Sequence, residues 1–175
     1  VVPLYHDKAG PALPTHQAVI LIFDKTNGSP LATLDGRLII EMRTAAGSAA
    51  VAPKCAVSEP EIVTIMGTGV QARAHVEALA AVRSWRKLRL WSRNPDTGAA
   101  VADELGATFV ADAEQAVRDA DIVACTTSAT EPTLSGGWLK PGAFVALVGW
   151  KGAEGCELDD AAMANCVLVE SVDPA

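Results

Sequence analysis

The fold of this chain is decided by the stretch EIVTIMGTGVQARAHVEAL, residues 61–79. Its first six residues form an apolar run that predicts a buried strand. Gly67, Thr68 and Gly69 end that run, and a helical pattern of apolar residues follows at once over residues 70–82. The stretch therefore predicts a strand, a tight glycine turn and a helix in direct succession, which is the context of a nucleotide-binding turn as well as of an ordinary loop.

Strand and helix patterns alternate along the rest of the chain. Strands are predicted at 61–66, 87–92, 108–111, 121–127, 143–149 and 167–171, and helices at 70–82, 96–106, 112–117 and 157–166. Such alternation is typical of βαβ units and a parallel sheet. With right-handed crossovers, the fold class is α/β, with a Rossmann-type doubly wound parallel sheet.

The first third of the chain has a different pattern. Residues 15–24 and 27–39 predict two or three antiparallel strands, joined by turns at Asn27-Gly28 and Asp35-Gly36. An Ala-rich helix follows over residues 41–54 and ends near Pro53. We therefore expect residues 1–58 to be part of a second, smaller α+β domain, and residues 59–175 to form the Rossmann domain.

Composition excludes several classes of function. The formal net charge of −7 argues against a nucleic-acid partner. The four Cys are widely spaced and the three His are scattered, so neither a disulfide framework nor a metal site is predicted. No apolar segment is long enough to span a bilayer, and the N-terminus has no signal-peptide pattern. We expect a fragment of a longer cytoplasmic protein, because the chain does not begin with Met.

The glycine turn has the spacing of a dinucleotide-binding fingerprint. It reads G-x-G-x-x-A over residues 67–72. In such a turn Gly67 allows the sharp bend, Gly69 lets a pyrophosphate approach the backbone, and Ala72 lets the helix pack closely on the sheet. The phosphates then lie at the helix N-terminus, where N–H groups and the dipole favour an anion. The position between a strand and a helix favours nucleotide binding over an ordinary glycine loop.

The residues after the second strand of this unit indicate which cofactor binds. NAD-binding domains place an Asp or Glu there for the ribose 2′-hydroxyl. This chain has Ser92, Arg93 and Asn94 instead, a set that suits a 2′-phosphate. We therefore predict NADPH, with NADH less favoured. The alternative is a solvated Arg93, with Asp96 binding the ribose from the next turn.

Taken together, the motifs resemble the ornithine cyclodeaminase/mu-crystallin family over essentially all 175 residues. The resemblance is carried by THQAVILIFD (15–24), LDGRLIIEMRTAAGSA (34–49), IMGTGVQARAH (65–75), LWSRN (90–94), TSATEP (127–132), WLKPGAFVALVG (138–149) and ELDD (157–160). It implies that residues 1–58 belong to a substrate-binding and dimerisation domain built from both ends of a longer chain. A family lysine that binds the substrate carboxylate would then lie just before Val1, and the full-length protein would be a homodimer.

The resemblance also assigns candidate site residues. Arg43 matches an arginine between cofactor and substrate, although by itself it would be interpreted as a helix-start residue paired with Glu41. Thr15 and His16 match a pair near the nicotinamide, and Trp150 either caps that pocket or packs the loop. The other positions implied to line the cofactor are Thr44, Gly67, Gly69, Val70, Gln71, Ser92, Arg93, Asn94, Thr127, Ser128, Ala129, Val148 and Gly149.

One departure from the family bears on the reaction. Cyclodeaminases of the family carry a catalytic Asp shortly after the fifth strand, where this chain has Lys151. Charged lysine is a poor base for the substrate amine that cyclodeamination requires, whereas a reductase needs only to orient a C=N bond and protonate its nitrogen. Lys151 would then bind the substrate carboxylate or donate a proton, unless it is only a solvated loop lysine.

These observations favour one function and leave two others open. The favoured one is an NAD(P)H-dependent oxidoreductase that reduces cyclic ketimines or imino acids by hydride transfer, or oxidises amino acids in reverse. A second is a mu-crystallin-like protein that binds NADPH and a thyroid-hormone-like aromatic acid without turnover, because one fold hosts many functions. Ornithine cyclodeaminase is third, because of Lys151.

Overall fold

The computed structural model describes residues 17–149 and 155–169. The chain divides into two compact units, of which the first ends at Thr44 and the second begins at Ala45. The elements in chain order are β1 Val19–Phe23, β2 Pro30–Asp35, α1 Arg37–Cys55, β3 Ile62–Met66, α2 Val70–Ala80, β4 Lys87–Trp91, α3 Pro95–Glu104, β5 Thr108–Phe109, α4 Ala113–Val117, β6 Ile122–Cys125, β7 Phe144–Leu147 and α5 Asp160–Met163, with a short 3₁₀ turn at Gly136–Trp138. The predicted domain boundary after residue 58 stays a prediction.

The described part of the first unit, from residue 17 onward, contains an antiparallel strand pair. Strands β1 and β2 pair with Val19 opposite Asp35. The connection between them contains the predicted turn residues Asn27 and Gly28, and Gly28 has a positive φ of 75°, which glycine adopts without strain. The hairpin prediction is therefore confirmed.

The second turn predicted for this unit, at Asp35-Gly36, is wrong. It leads into α1, which begins at Arg37, four residues before the predicted helix. The carboxylate of Asp35 accepts a 2.9 Å hydrogen bond from the Arg37 N–H, and this bond favours a helix start over a third strand. A Cβ on Gly36 would lie 2.9 Å from the Cβ of Ala18, so a glycine is needed where the chain passes β1.

The second unit is a five-stranded parallel sheet in the order β5-β4-β3-β6-β7. Strand β3 is central, and Val63 pairs with Leu88 of β4 and with Ile122 of β6. Successive crossovers therefore run to opposite sides of β3. The predicted α/β class and doubly wound sheet are confirmed.

Alternate residues of the central strands enter two apolar layers, one on each face of the sheet. Val63 and Ile65 pack with Ala72 and Leu79 of α2 on one face. On the other face, Met66 of β3 belongs to the cluster that contains α4. Since β3 and β6 are covered on both sides, they appear in the sequence as continuous apolar runs.

A carboxylate lies at the amino ends of the parallel strands and another at their carboxyl ends. The one at the amino ends belongs to Asp121. Its Oδ2 accepts hydrogen bonds from the backbone N–H groups of Glu61 and Ile62, at 2.8 and 3.0 Å. Its other oxygen lies 2.5 Å from the ammonium of Lys140. These bonds hold the starts of β3 and β6 together.

The predictions for residues 157–171 are wrong where the structure describes them. The helix is only one turn, Asp160–Met163, because Leu158 forms a bridge with Leu134 and the Glu157 carbonyl accepts from the Thr133 and Leu134 N–H groups. Residues 167–169, predicted to begin a sixth strand, have exposed side chains and no strand conformation. Strand propensity alone does not make a strand, and these residues pair with no strand in the described part of the chain. Among the described residues, no helix is long and apolar enough to cross a membrane.

Candidate functional site

The glycine turn lies at the point where the sheet topology reverses. Gly67 has a φ of 120°, and a Cβ there would lie 2.9 Å from both the carbonyl oxygen and the Oγ1 of Thr126. The Gly67 N–H donates a 2.8 Å hydrogen bond to the carbonyl of Trp91, the last residue of β4. The turn is thus held between the ends of β4 and β6, which is the switch point where ligands of open α/β sheets bind.

The N-terminus of α2 is built to accept an anion. Gly69 is its N-cap, with φ −76° and ψ −175°, and no side chain caps this end. Nothing lies within 4 Å of the position that a Cβ on Gly69 would take. The Oε1 of Gln71 is buried and has no hydrogen-bond partner among the described residues. The N–H groups, the open space and the unpartnered amide oxygen fit the pyrophosphate and ribose of a dinucleotide.

Arg73 holds the glycine turn from the side, a role that the sequence analysis missed. Its Nη1 donates to the carbonyl oxygens of Thr68 and Gly69, at 2.9 and 3.3 Å. Its Nε and Nη2 donate to the two carboxylate oxygens of Glu104, at 2.7 and 2.5 Å. The hydrogen bonds from Arg73 lower the pKa of Glu104. The turn is therefore connected to the C-terminal end of α3.

The three residues after β4 lie beside this turn, because of the bond between Gly67 and Trp91. The Asn94 side-chain oxygen accepts from the N–H groups of Asp96 and Thr97, at 3.0 and 3.2 Å, and so caps α3. The Ser92 hydroxyl oxygen accepts from the Asn94 N–H. Arg93 is exposed, with its side chain accessible to a ligand. The roles of these residues toward a 2′-phosphate, and of Asp96 toward a ribose, stay predictions.

At the carboxyl ends of β6 and β7, one buried carboxylate binds both segments. The Glu157 Oε1 accepts from the N–H and the hydroxyl of Thr127, at 2.6 and 2.5 Å. Its Oε2 accepts from the Gly149 N–H at 2.6 Å. The Thr127 hydroxyl oxygen in turn accepts from the Ala129 N–H at 3.2 Å. This carboxylate shapes the two segments that contain five of the predicted cofactor-lining residues, Thr127, Ser128, Ala129, Val148 and Gly149.

Glu157 is completely buried. Burial raises the pKa of its carboxyl group above the usual value, while the donors of Thr127 and Gly149 act in the opposite direction. The ELDD segment carries part of the family resemblance, but no role was predicted for Glu157. The one available signal was a carboxylate between Cys156 and Leu158, in an apolar context where acidic residues are rare unless they are partnered.

The other predicted site residues are distributed as follows. Thr15, His16, Trp150 and Lys151 lie outside the described residues. Arg43 and Thr44 lie on α1 in the first unit, and their roles stay predictions. Val70 is the first residue of α2. Ser128 is exposed between Thr127 and Ala129. The Val148 N–H donates a hydrogen bond to the Cys125 carbonyl. Within residues 17–149 and 155–169, no three His, Cys, Asp or Glu side chains form a group that could hold a metal ion.

A family model for the ornithine cyclodeaminase/mu-crystallin family matches residues 1–175. The chain belongs to this family. Among curated members, the ketimine reductase mu-crystallin of Mus musculus is 37% identical over 174 residues, which are 96% of this chain and 54% of the relative. The Delta(1)-pyrroline-2-carboxylate reductase of Paracoccus denitrificans is 34% identical, over 94% of this chain and 54% of its own length. This chain spans about half the length of the curated family members it matches.

Solved structures of the ornithine cyclodeaminase/mu-crystallin type have the same fold. The Delta(1)-pyrroline-2-carboxylate reductase of Thermococcus litoralis, in complex with NADH and L-proline, has a TM-score of 0.79 at 34% identity. The match covers 86% of this chain and 49% of the reductase chain. The iminosuccinate reductase of Paracoccus denitrificans, in complex with NAD+, has a TM-score of 0.77 at 29% identity. The match covers 87% of this chain and 48% of the reductase chain. The resemblance stated from the sequence motifs is confirmed.

Proposed function

We propose that this chain is part of an NAD(P)H-dependent reductase of cyclic ketimines or imino acids. The observation that carries the proposal is the open N-terminus of α2, at a glycine turn held between the ends of β4 and β6. That geometry is suited to a dinucleotide. The relatives at 37% and 34% identity are a ketimine reductase and a Delta(1)-pyrroline-2-carboxylate reductase. They support the C=N bond of an imino acid as the reacting group.

We further propose NADPH as the preferred cofactor, with NADH less favoured. In this proposal the glycine turn and Gln71 hold the pyrophosphate, and Arg93 pairs with the 2′-phosphate. Thr127–Ala129, Val148 and Gly149 would line the nicotinamide half. When bound, the cofactor supplies the hydride for reduction or accepts it in the reverse direction.

The substrate side of the proposal rests on residues that match family positions. Arg43 would bind the substrate carboxylate through two parallel hydrogen bonds. Lys151 would bind the same carboxylate or donate a proton to the imine nitrogen. Thr15, His16, Thr44 and Trp150 would lie near the nicotinamide, and their part is to orient the substrate and exclude water.

The cellular setting is also part of the proposal. Cys55, Cys125, Cys156 and Cys166 are free thiols, which favours a reducing compartment such as the cytoplasm. The full-length protein would be a homodimer, as the family resemblance implies.

The test of the proposed function is turnover by the full-length protein. Loss of NADPH absorbance would be followed with cyclic ketimines, with imino acids and with 2-oxo acid/amine pairs. We expect a rate of roughly 1 per second or faster with at least one cyclic imino acid. The control is Arg43→Ala, which should raise KM for carboxylate-bearing substrates more than it weakens NADPH binding. Tight NADPH binding without any turnover across the panel would overturn the reductase proposal.

A second assay separates reduction from cyclodeamination. Ornithine incubated with the full-length protein and NAD should yield neither ammonia nor proline, because Lys151 stands where the cyclodeaminases have aspartate. Lys151→Asp restores the acid and is the matched variant. Release of ammonia from ornithine by the unaltered protein at about 1 per second would contradict the assignment.

A further inference from the structure

We propose that Glu157 is a positioning residue that holds the carboxyl ends of β6 and β7 in the arrangement that binds the nicotinamide half of the cofactor. This inference rests on the proposed function. It extends the proposed function by giving a role to Glu157, which touches neither the phosphates nor the substrate in that proposal. Glu157 acts instead through Thr127 and Gly149.

The hydrogen bonds of the carboxylate define the role. All three partners donate: the Thr127 N–H and hydroxyl to Oε1, at 2.6 and 2.5 Å, and the Gly149 N–H to Oε2, at 2.6 Å. An ionised carboxylate accepts all three, whereas an amide of the same shape offers only one acceptor atom. Glu157 is completely buried, so any of these donors left without an acceptor stays unpaired.

The backbone at Gly149 lies close to both the end of β6 and the Glu157 carboxylate. A Cβ on Gly149 would overlap the Thr127 carbonyl oxygen and the Glu157 carboxylate. The Thr127 hydroxyl also accepts from the Ala129 N–H, so the carboxylate indirectly orders that segment as well. Removing it therefore releases both segments at once.

The segment that carries Glu157 is itself anchored. The Glu157 carbonyl accepts from the N–H groups of Thr133 and Leu134, at 2.8 and 3.0 Å. Two residues later, the Asp159 carboxylate caps α5 and accepts from the Ser135 hydroxyl at 2.5 Å. The carboxylate is thus delivered from a fixed piece of backbone, which is what a positioning group requires.

The topology separates this role from the binding of adenosine. The glycine turn and the residues after β4 lie on the β4 side of β3, whereas Glu157 acts on β6 and β7, on the other side. Dinucleotides lie across the point where the strand order reverses, with one mononucleotide on each side. Loss of the Glu157 carboxylate should therefore weaken binding of a whole dinucleotide more than binding of its adenosine half.

The experiment compares NADPH with 2′,5′-ADP, which lacks the nicotinamide, as ligands of the full-length protein. Glu157→Gln keeps the shape of the side chain but cannot accept from all three donors. We expect it to weaken NADPH binding by about tenfold or more and 2′,5′-ADP binding by no more than about twofold, because a buried donor left unpaired costs on the order of one factor of ten.

The matched control is Asp121→Asn, which removes the equivalent charge at the amino end of the same sheet. It should lower the melting temperature and leave both affinities unchanged. If Glu157→Gln likewise lowers only the melting temperature, the residue is merely structural and the inference is overturned. If Glu157→Gln does not fold, the pair Thr127→Val and Thr127→Ser replaces it. The valine should show the selective loss of NADPH and the serine should restore binding, and equal affinities in the two would overturn the inference.

Failure of the proposed function has a different signature. Tight NADPH binding without turnover by the unaltered protein overturns the reductase proposal and leaves this inference standing, whereas binding of neither NADPH nor NADH overturns both. A different result would contradict the positioning role alone. In that result the unaltered protein binds cofactor and turns over normally, while Glu157→Gln loses affinity equally for NADPH and for 2′,5′-ADP.

Discussion

Gly67 and Trp91 are joined by a 2.8 Å hydrogen bond from the Gly67 N–H to the Trp91 carbonyl. This bond connects the start of the glycine turn to the last residue of β4. The residues that follow β4 are therefore beside the turn, and a cofactor whose phosphates bind the turn has its adenosine ribose near them. Cofactor selectivity should consequently depend on Arg93 and Asn94.

Replacing Arg93 with alanine should reduce the preference for NADPH over NADH. A charged hydrogen bond to the 2′-phosphate is worth about 1.5–3 kcal/mol, which corresponds to a loss of roughly 10- to 150-fold in the ratio of affinities. Titration of the full-length protein and of the variant with both cofactors measures this ratio. Arg118→Ala, which removes an exposed arginine paired with Glu114 on α4, is the control and should leave the ratio unchanged. Tighter binding of NADH by the unaltered protein would show that the assignment is wrong.

Asn94→Asp should shift selectivity toward NADH without a loss of stability. Asp and Asn are equally good N-caps, so the bonds to the N–H groups of Asp96 and Thr97 are kept. The new charge repels a 2′-phosphate and suits a ribose 2′-hydroxyl. Asn94→Ala is the comparison: it loses the cap and should cost about 1 kcal/mol in the free energy of unfolding. Thermal unfolding and cofactor titration of both variants separate the two effects, and an unchanged cofactor ratio in Asn94→Asp would exclude Asn94 from the 2′ site.

Gly69→Val should abolish cofactor binding and leave the fold intact. Nothing within 4 Å opposes a side chain at Gly69, and its φ of −76° is allowed for any residue. The valine would fill the space through which phosphates approach the helix N-terminus. Circular dichroism should be unchanged while NADPH affinity is lost. Gly137→Val, at another open glycine, should keep normal affinity. Normal NADPH binding by Gly69→Val would show that the turn is only structural.

Gly67 lies in the same turn but, unlike Gly69, has no room for a side chain in the fold itself. Its φ is 120° and a Cβ there would be 2.9 Å from Thr126. A side chain there strains the backbone in the absence of any ligand. Substitution of Gly67 should therefore lower stability as well as affinity, and this contrast identifies Gly69 as the position that is open for binding.

Local pattern was sufficient to predict the sheet and the glycine turn. Continuous apolar runs predict buried parallel strands, and G-x-G-x-x-A at residues 67–72 requires only short-range spacing. The same short-range logic failed at Asp35-Gly36, since an Asp followed by a Gly serves a hairpin or a helix start equally well. Tertiary contacts decided between the two, because Gly36 passes close to Ala18.

The anchoring residues could not be predicted, because their partners are far away in sequence. Arg73 and Glu104 are 31 residues apart, and Glu157 and Thr127 are 30 apart. No spacing rule relates such pairs, and Arg73 and Glu104 taken alone are typical of solvated charges. The helix predicted over 157–166 failed for the same reason, since the Glu157 carbonyl bonds to the N–H groups of Thr133 and Leu134, which are more than 20 residues away, and not to a later turn of a helix.

His75 connects the N-terminal turn of α2 to α1 and should make stability depend on pH. It is completely buried; its Nδ1 lies 2.8 Å from the Gln71 carbonyl oxygen and its Nε2 lies 3.0 Å from the Ser48 hydroxyl. Because a carbonyl only accepts, Nδ1 carries the proton and Nε2 accepts from Ser48. The imidazole is therefore held neutral.

Burial lowers the pKa of His75 below its usual value of 6.5. The unfolded chain then binds more protons than the folded one as the pH falls, so the stabilisation is complete above pH 6.5 and is lost from 6.5 down through the lowered pKa. We expect the midpoint of denaturant unfolding to fall more between about pH 7.5 and 5 in the unaltered protein than in His75→Gln, which does not titrate. The raised pKa of Glu157 acts with the opposite sign, but it is present in both proteins and cancels in the comparison. Equal shifts in the two proteins would show that the pKa of His75 is not lowered by folding, and that its imidazole can be protonated in place with the Ser48 hydroxyl accepting the hydrogen bond from Nε2.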